Sequence, residues 1–174
     1  MSLNNKKIAI LTADWFEESE VLYPQFRLKG EGAEVKTFSF GGNAVTGKGG
    51  LGPIPVDGNV SDIKLADFDA CVIPGGFAPD MVRRSPEAME LIRQADAAGK
   101  PLAFICHGLW VGVTAGILNG RTVTAVPVIK PEVEGAGAMW SDDRAVVDKN
   151  LVTAQIPNDL EAWMKKFIDV VSQG

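Results

Sequence analysis

The sequence has one histidine, two cysteines and one tyrosine in 174 residues. One His and two Cys cannot build a Cys₄, Cys₃His or Cys₂His₂ zinc site within one chain, so no metal or other cofactor is expected. Any Cys–His or Ser–His catalysis within one chain must use the sole imidazole, His107. Two cysteines are too few for a disulfide scaffold. No stretch approaches the ~18 apolar residues of a membrane span. The apolar run Ile8–Leu11 is too short for the core of a secretion signal. A cytoplasmic protein without a membrane partner is therefore expected, and Met1-Ser2-Leu3 is given no weight because such leaders are also added for expression. Basic residues are also few: 17 Lys plus Arg against 22 Asp plus Glu leave a formal charge of −5. That argues against a nucleic-acid partner, which would call for a basic face. What remains is an ordinary globular composition, 46% apolar and 22% charged, and a length that suits one domain over 1–174.

Three short apolar runs read as buried strands, Lys7–Thr12, Asp69–Pro74 and Pro101–Ile105, and Glu34–Phe40 reads as a further strand. A helix is expected from Phe16 to Lys29, with Val21, Pro24, Leu28 and Leu22, Phe26 as its apolar rows and a kink at Pro24. The acidic cluster Glu17, Glu18, Glu20 suits its positive N-terminal end. Gly41–Gly52 holds six glycines in twelve residues and reads as a hairpin excursion. Ser85-Pro86 offers an N-cap and a proline at the first helical position. Trp110–Ala115 continues as a helix. Arg121–Ala125, Ala145–Val147 and Leu151–Thr153 read as later strands, the last two around a tight turn at Asp148-Lys149-Asn150. Leu160, Trp163, Met164, Phe167, Val170 and Val171 define an amphipathic C-terminal helix. Buried strands alternating with helices give an α/β fold with a mostly parallel sheet covered on both faces.

Three segments lie just past buried strands: Asp14–Glu20, Gly75–Asp80 and Cys106–Trp110. In open α/β sheets, sites form there, at the carboxyl ends of strands. Cys106 follows a strand and precedes a helix, the setting of a nucleophile elbow, and a helix N-terminus is expected to lower its thiol pKa. Its alternative is an inert cysteine at a strand end. Cys71, in mid-strand, reads as core. His107 is either the catalytic imidazole or a solvated one, because adjacent side chains need not meet. A partly buried Glu kept protonated can donate to a thiolate, and Glu17 and Glu20 share a helix face; either is otherwise a plain helix start. The amides of Gly75, Gly76 and His107 offer an oxyanion pocket, and the glycines otherwise form only a tight turn. Gly42–Gly49 imitates a P-loop but has Gly49 where a magnesium-binding Ser or Thr is needed and no helix to follow, so nucleotide binding is set aside.

The segments DWFEESEVLYP (14–24), VIPGGFAPD (72–80), GKPLAFICHGLW (99–110), AGILNGRTVT (115–124) and VVDKN (146–150) together resemble the ThiJ/PfpI superfamily, in its PfpI-type intracellular cysteine peptidase branch. The resemblance implies a flavodoxin-like three-layer sandwich, like that of class I glutamine amidotransferases. It implies Cys106 as nucleophile, Glu20 as the acid beside its thiol with Glu17 nearby, and Gly75, Gly76 and the His107 amide as oxyanion pocket, with Trp110 counted among the substrate-binding residues. It further implies that His107 pairs with Asp80 of another subunit, hence a homo-oligomer, a dimer or higher. The implied reaction is attack on a carbonyl carbon, as intracellular peptidase, cofactor-independent glyoxalase or protein deglycase, on a small carbonyl compound, a glycated adduct or a peptide. The competing reading is a non-catalytic, stress-protective redox sensor in which Cys106 is reversibly oxidised. Four positions depart from the usual pattern and bear on the substrate: Phe104, Leu109, Val126 and Gly49.

Overall fold

Alternation along the buried strands decides the architecture of the computed structural model, which describes residues 3–174. The elements in chain order are β1 (Lys7–Thr12), α1 (Glu18–Gly30), β2 (Glu34–Ser39), β3 (Ala44–Val45), β4 (Ile54–Pro55), β5 (Gly58–Asn59), β6 (Ala70–Ile73), α2 (Ala78–Val82), α3 (Pro86–Ala97), β7 (Leu102–Ile105), α4 (Leu109–Ala115), β8 (Thr122–Val123), α5 (Lys130–Gly135), β9 (Met139–Trp140), β10 (Ala145–Asp148), β11 (Leu151–Ala154) and α6 (Leu160–Gln173). On β1, Ile8 and Ile10 enter one apolar layer while Ala9 and Leu11 enter the other; on β6, Ala70 and Val72 oppose Cys71 and Ile73. Side chains of a strand alternate faces, so strands apolar at every position must be covered on both sides. Helix α6 covers one side with Trp163, Met164, Phe167, Ile168 and Val171, and α3 and α4 supply Met89, Leu91, Ile92, Leu109 and Val111 to the other.

The seven-stranded sheet runs β10-β11-β7-β6-β1-β2-β5 and matches the flavodoxin-like arrangement. Every pairing is parallel except β10 with β11. The chain moves outward from β1 to β2 and β5, then returns to β6 on the other side of β1 and moves outward again. The switch point therefore lies between β1 and β6, and their carboxyl ends define the crevice.

Several expectations are corrected. Arg121–Ala125 contributes only β8, which joins β9 in a separate two-stranded sheet. Phe26 is not in an apolar row: it is 67% exposed, and only Val21, Pro24 and Leu28 of the expected rows are buried, with Leu22 partly so. Helix α1 runs unbroken through Pro24. Leu3 is part of the fold, fully buried with its amide donating to the Glu31 carbonyl at 2.8 Å, while Met1 and Ser2 lie outside the described residues. The Ser85 cap forms as expected, its hydroxyl accepting from the Ala88 amide at 3.1 Å. Among the described residues, no helix is long and apolar enough to cross a membrane.

At the end of the sheet away from the crevice, Arg121 ties three elements together. It donates to Asp96 in the last turn of α3, to the Asp148 carboxylate and carbonyl on β10, and to Asn150 in the turn, while Asn150 also donates to Asp96. The guanidinium side chain is 11% exposed, so removing it strands two carboxylates in a poorly hydrated place. Arg121→Ala is expected to cost about 2–4 kcal/mol, read as a fall of roughly 5–15 °C in thermal midpoint.

Candidate active site

Strand β7 ends at Ile105 in extended backbone, and Cys106 follows at φ +57°. The left-handed region costs a residue with a Cβ about 1–2 kcal/mol, so the surrounding packing holds this turn in place. The chain continues as a 3₁₀ turn, Cys106–Gly108, and enters α4. This is the strand–turn–helix elbow, with the thiol at its bend and about half buried among the crevice walls.

Glu20 comes to the thiol from the first turn of α1. It is fully buried, its Oε2 accepts the Gly75 amide at 2.7 Å, and its Oε1 is buried without a hydrogen-bond partner. A Cβ on Gly75 would stand 2.6 Å from Glu20 Oε2 and 2.7 Å from Cys106 Cβ, so only glycine leaves room for carboxyl and thiol to meet. The next residue, Gly76, sits at φ +79°, where a Cβ would overlap the Trp15 carbonyl and the Glu17 amide. Both conditions explain the Gly-Gly pair after β6.

Burial pushes the Glu20 carboxyl up to about 8; the charge of Glu17 adds to this, and the Gly75 amide and Lys48 oppose it. Facing an ionised Glu20, the Cys106 thiol is pushed up to about 12, first by burial and then by that charge. The backbone N–H groups of His107 and Gly76 and the Lys48 ammonium pull it down. The expected lowering by a helix N-terminus is thus corrected: local amides help, but burial outweighs them. A proton kept on Glu20 would remove the opposing charge and give the carboxyl a hydrogen to donate.

The side chains of Cys106 and His107 do meet, despite being adjacent: Sγ to Nδ1 is 3.3 Å. Burial, with help from Lys48, holds the imidazole below its ordinary value, while Glu132 opposes them. The ring is therefore neutral near pH 7 and able to take a proton. The oxyanion expectation is corrected at Gly75, whose amide is donated to Glu20; the amides that face the sulfur are those of Gly76 and His107. Among the described residues, Asp80 makes no hydrogen bond to His107 within one chain, where Arg83 and Arg84 engage Asp80. Its carboxylate accepts from Arg83 Nε at 3.0 Å and is also paired with Arg84. Trp110 packs on the imidazole, with ring centroids 4.7 Å apart.

Lys48 is the group that the sequence reading passed over. Its Nζ is 2.6 Å from Glu17 Oε2, and its charge is felt by Cys106, Glu20 and His107. The glycine-rich hairpin that carries it is stitched to the segment after β1. The Thr46 amide donates to Asp14 at 2.7 Å, the Gly49 amide donates to Glu18, and the Lys48 amide donates to the Phe16 carbonyl at 2.9 Å. Phe16 in turn bridges Gly47 on one side and Gly76 on the other. The acidic cluster thus holds the hairpin against the site. The only signal in the sequence is Lys48 itself, beside Gly49, one of the four departures from the family pattern. Of the other departures, Phe104 and Leu109 are fully buried in the core and Val126 packs against it.

A model of the DJ-1/PfpI family matches residues 6–170. The chain is 42% identical to Deglycase PfpI of Pyrococcus furiosus over 165 residues, 95% of this chain and 99% of that one. It is 38% identical to Protein/nucleic acid deglycase 2 of Escherichia coli over 166 residues, 94% and 96% of the two chains. Among solved structures, a two-domain protein of Anabaena variabilis with DJ-1/ThiJ/PfpI-like and ferritin-like domains superposes with a TM-score of 0.91 at 35% identity, over 97% of this chain and 48% of that one.

Proposed function

The chain belongs to the DJ-1/PfpI family, and from that premise we propose that it is a cysteine-dependent enzyme that removes carbonyl-derived adducts from amines. The observation that carries this reading is the meeting of three groups at one elbow: Cys106 at φ +57°, His107 Nδ1 at 3.3 Å from its sulfur, and a buried Glu20 beside the thiol. The deglycase names of the relatives support small glycated adducts as the substrate class.

In the proposed reaction, Glu20 keeps its proton while Cys106 gives one up, so that the sulfur carries the charge. The thiolate forms a bond to the carbonyl carbon of the adduct, and the π electrons of the carbonyl pass to its oxygen. The Gly76 and His107 amides that face the sulfur also face that developing oxyanion. His107, neutral near pH 7, takes the thiol proton and gives it to the amine nitrogen as the oxyanion collapses and the C–N bond breaks. Water then cleaves the acyl–sulfur bond, releasing a carboxylic acid and restoring the thiol. Lys48, close to the thiol and held by Glu17, favours the anionic forms of the sulfur and the carbonyl oxygen.

The test is a panel of methylglyoxal, a methylglyoxal-glycated amine and a peptide reporter, run on the wild-type protein. Release of free amine from the glycated member at a steady rate is expected. Turnover of the peptide alone, or of no member of the panel, would overturn the deglycase reading.

A further inference from the structure

Behind His107 stands a chain of contacts within the same subunit. Trp110 lies three residues on, in α4, its ring centroid 4.7 Å from that of the imidazole and the two planes tilted by 58°. The guanidinium carbon of Arg83, at the end of α2, sits 4.8 Å from the indole centroid. Asp80, in α2, fixes that guanidinium by accepting from its Nε at 3.0 Å and pairing with its terminal nitrogen. A carboxylate holds a cation, the cation packs on an indole, and the indole packs on the imidazole.

A catalytic imidazole usually has a third group that sets its orientation. The pairing with Asp80 of another subunit that the resemblance implies would fix the far side of the ring; within the chain, among the described residues, the hydrogen-bond contact of the His107 ring is with Cys106. For that contact the ring must turn back toward its own neighbour, and the packed indole limits where else it can go. We propose that Trp110, braced by Arg83 and Asp80, is the positioning residue that holds the His107 ring against the Cys106 sulfur. This gives Trp110 a role other than substrate contact, and gives Asp80 a task inside its own chain. The proposal rests on the reading of His107 as proton carrier.

The charged and titratable groups around the ring are Cys106 beside it, Glu20 from α1, Lys48 from the hairpin, Glu132 from α5 and Arg83 from α2. Because the sequence has one histidine, the imidazole signals in a proton NMR spectrum belong to His107 without ambiguity. The experiment titrates that signal in the unliganded full chain of wild type, Trp110→Ala, Trp110→Phe, Arg83→Ala and Arg83→Lys, and measures kcat and KM for each. In Trp110→Ala and Arg83→Ala the ring is freed into water. Its midpoint should rise toward the ordinary value of about 6.5, and kcat should fall at least tenfold with KM within twofold. Trp110→Phe should stay near wild type in both, and Arg83→Lys, which keeps the charge but not the two-point contact with Asp80, should fall between wild type and Arg83→Ala. An unchanged titration in the two alanine variants would overturn the proposal, as would a rise in KM at constant kcat, which marks Trp110 as a substrate contact. If Trp110→Ala does not fold, Arg83→Ala carries the test. The titration needs no turnover, so it stands or fails separately from the proposed reaction.

Discussion

Cys106→Ala is expected to lose at least about 10³-fold in turnover of every substrate that the wild type accepts. Without sulfur, no atom at the elbow can form the bond to carbon, and the amides of Gly76 and His107 have only an uncatalysed addition to assist. The thermal midpoint should move by only a few degrees, because the substitution removes one atom from a half-buried position and leaves the Glu20–Gly75 contact in place. Cys71→Ala is the control. Cys71 is fully buried in β6, and burial raises its thiol well above the ordinary range, so it is chemically silent. Its replacement should cost stability and leave turnover intact. Undiminished turnover in Cys106→Ala would remove the nucleophile from the account.

Glu20→Gln is expected to stabilise the protein at neutral and alkaline pH while slowing the reaction. Glu20 titrates near 4.5 in the unfolded chain and is pushed up to about 8 by burial on folding. Between those values the folded protein holds a proton that the unfolded chain has released, so stability falls as pH rises. The contribution is therefore full below about 4.5 and lost as the coupled Glu20–Cys106 pair gives up its first proton near 8. A glutamine does not titrate, accepts the Gly75 amide with its oxygen, and brings an N–H donor to the site. Wild type and Glu20→Gln should be close in stability near pH 4. By pH 8 the variant should lead by about 4 kcal/mol, roughly 8–16 °C in thermal midpoint. Turnover should fall by about 10²-fold in Glu20→Ala, which has no donor for the sulfur, and by less in Glu20→Gln. Equal pH dependence of stability in wild type and Glu20→Gln would mean that Glu20 ionises normally and that the site is not built as described.

The parts of the fold and site legible in the sequence are those set by local pattern. β1, β6 and β7 announce themselves because both faces of each are apolar, and the Cys-His-Gly turn after β7 marks the elbow. Less local features were not legible. β8 reads as a strand like any other, and only its partner, seventeen residues on, shows that it lies outside the main sheet. Glu17, Glu18 and Glu20 look alike as a helix start, yet one pairs with Lys48, one receives the Gly49 amide and one is fully buried. The difference comes from the hairpin and from the turn after β6, which are 31 and 55 residues away from their glutamate partners. The thiol differs from its expectation for the same reason: the helix N-terminus is visible in the sequence, whereas the burial that outweighs it is not.

The most direct measurement is the rate of Cys106 alkylation by iodoacetamide in the unliganded protein, followed by intact mass from pH 5 to 11. Glu20 and Cys106 form one coupled unit, and its first proton leaves at or below about 8. The account places the resulting charge on sulfur, where two amides receive it, rather than on Glu20, where one amide does; Lys48 favours either charge. Alkylation of a single thiol should therefore rise to most of its final rate by about pH 8. Reactivity that climbs only at higher pH, toward about 12, would show that Glu20 loses its proton first and would contradict the account.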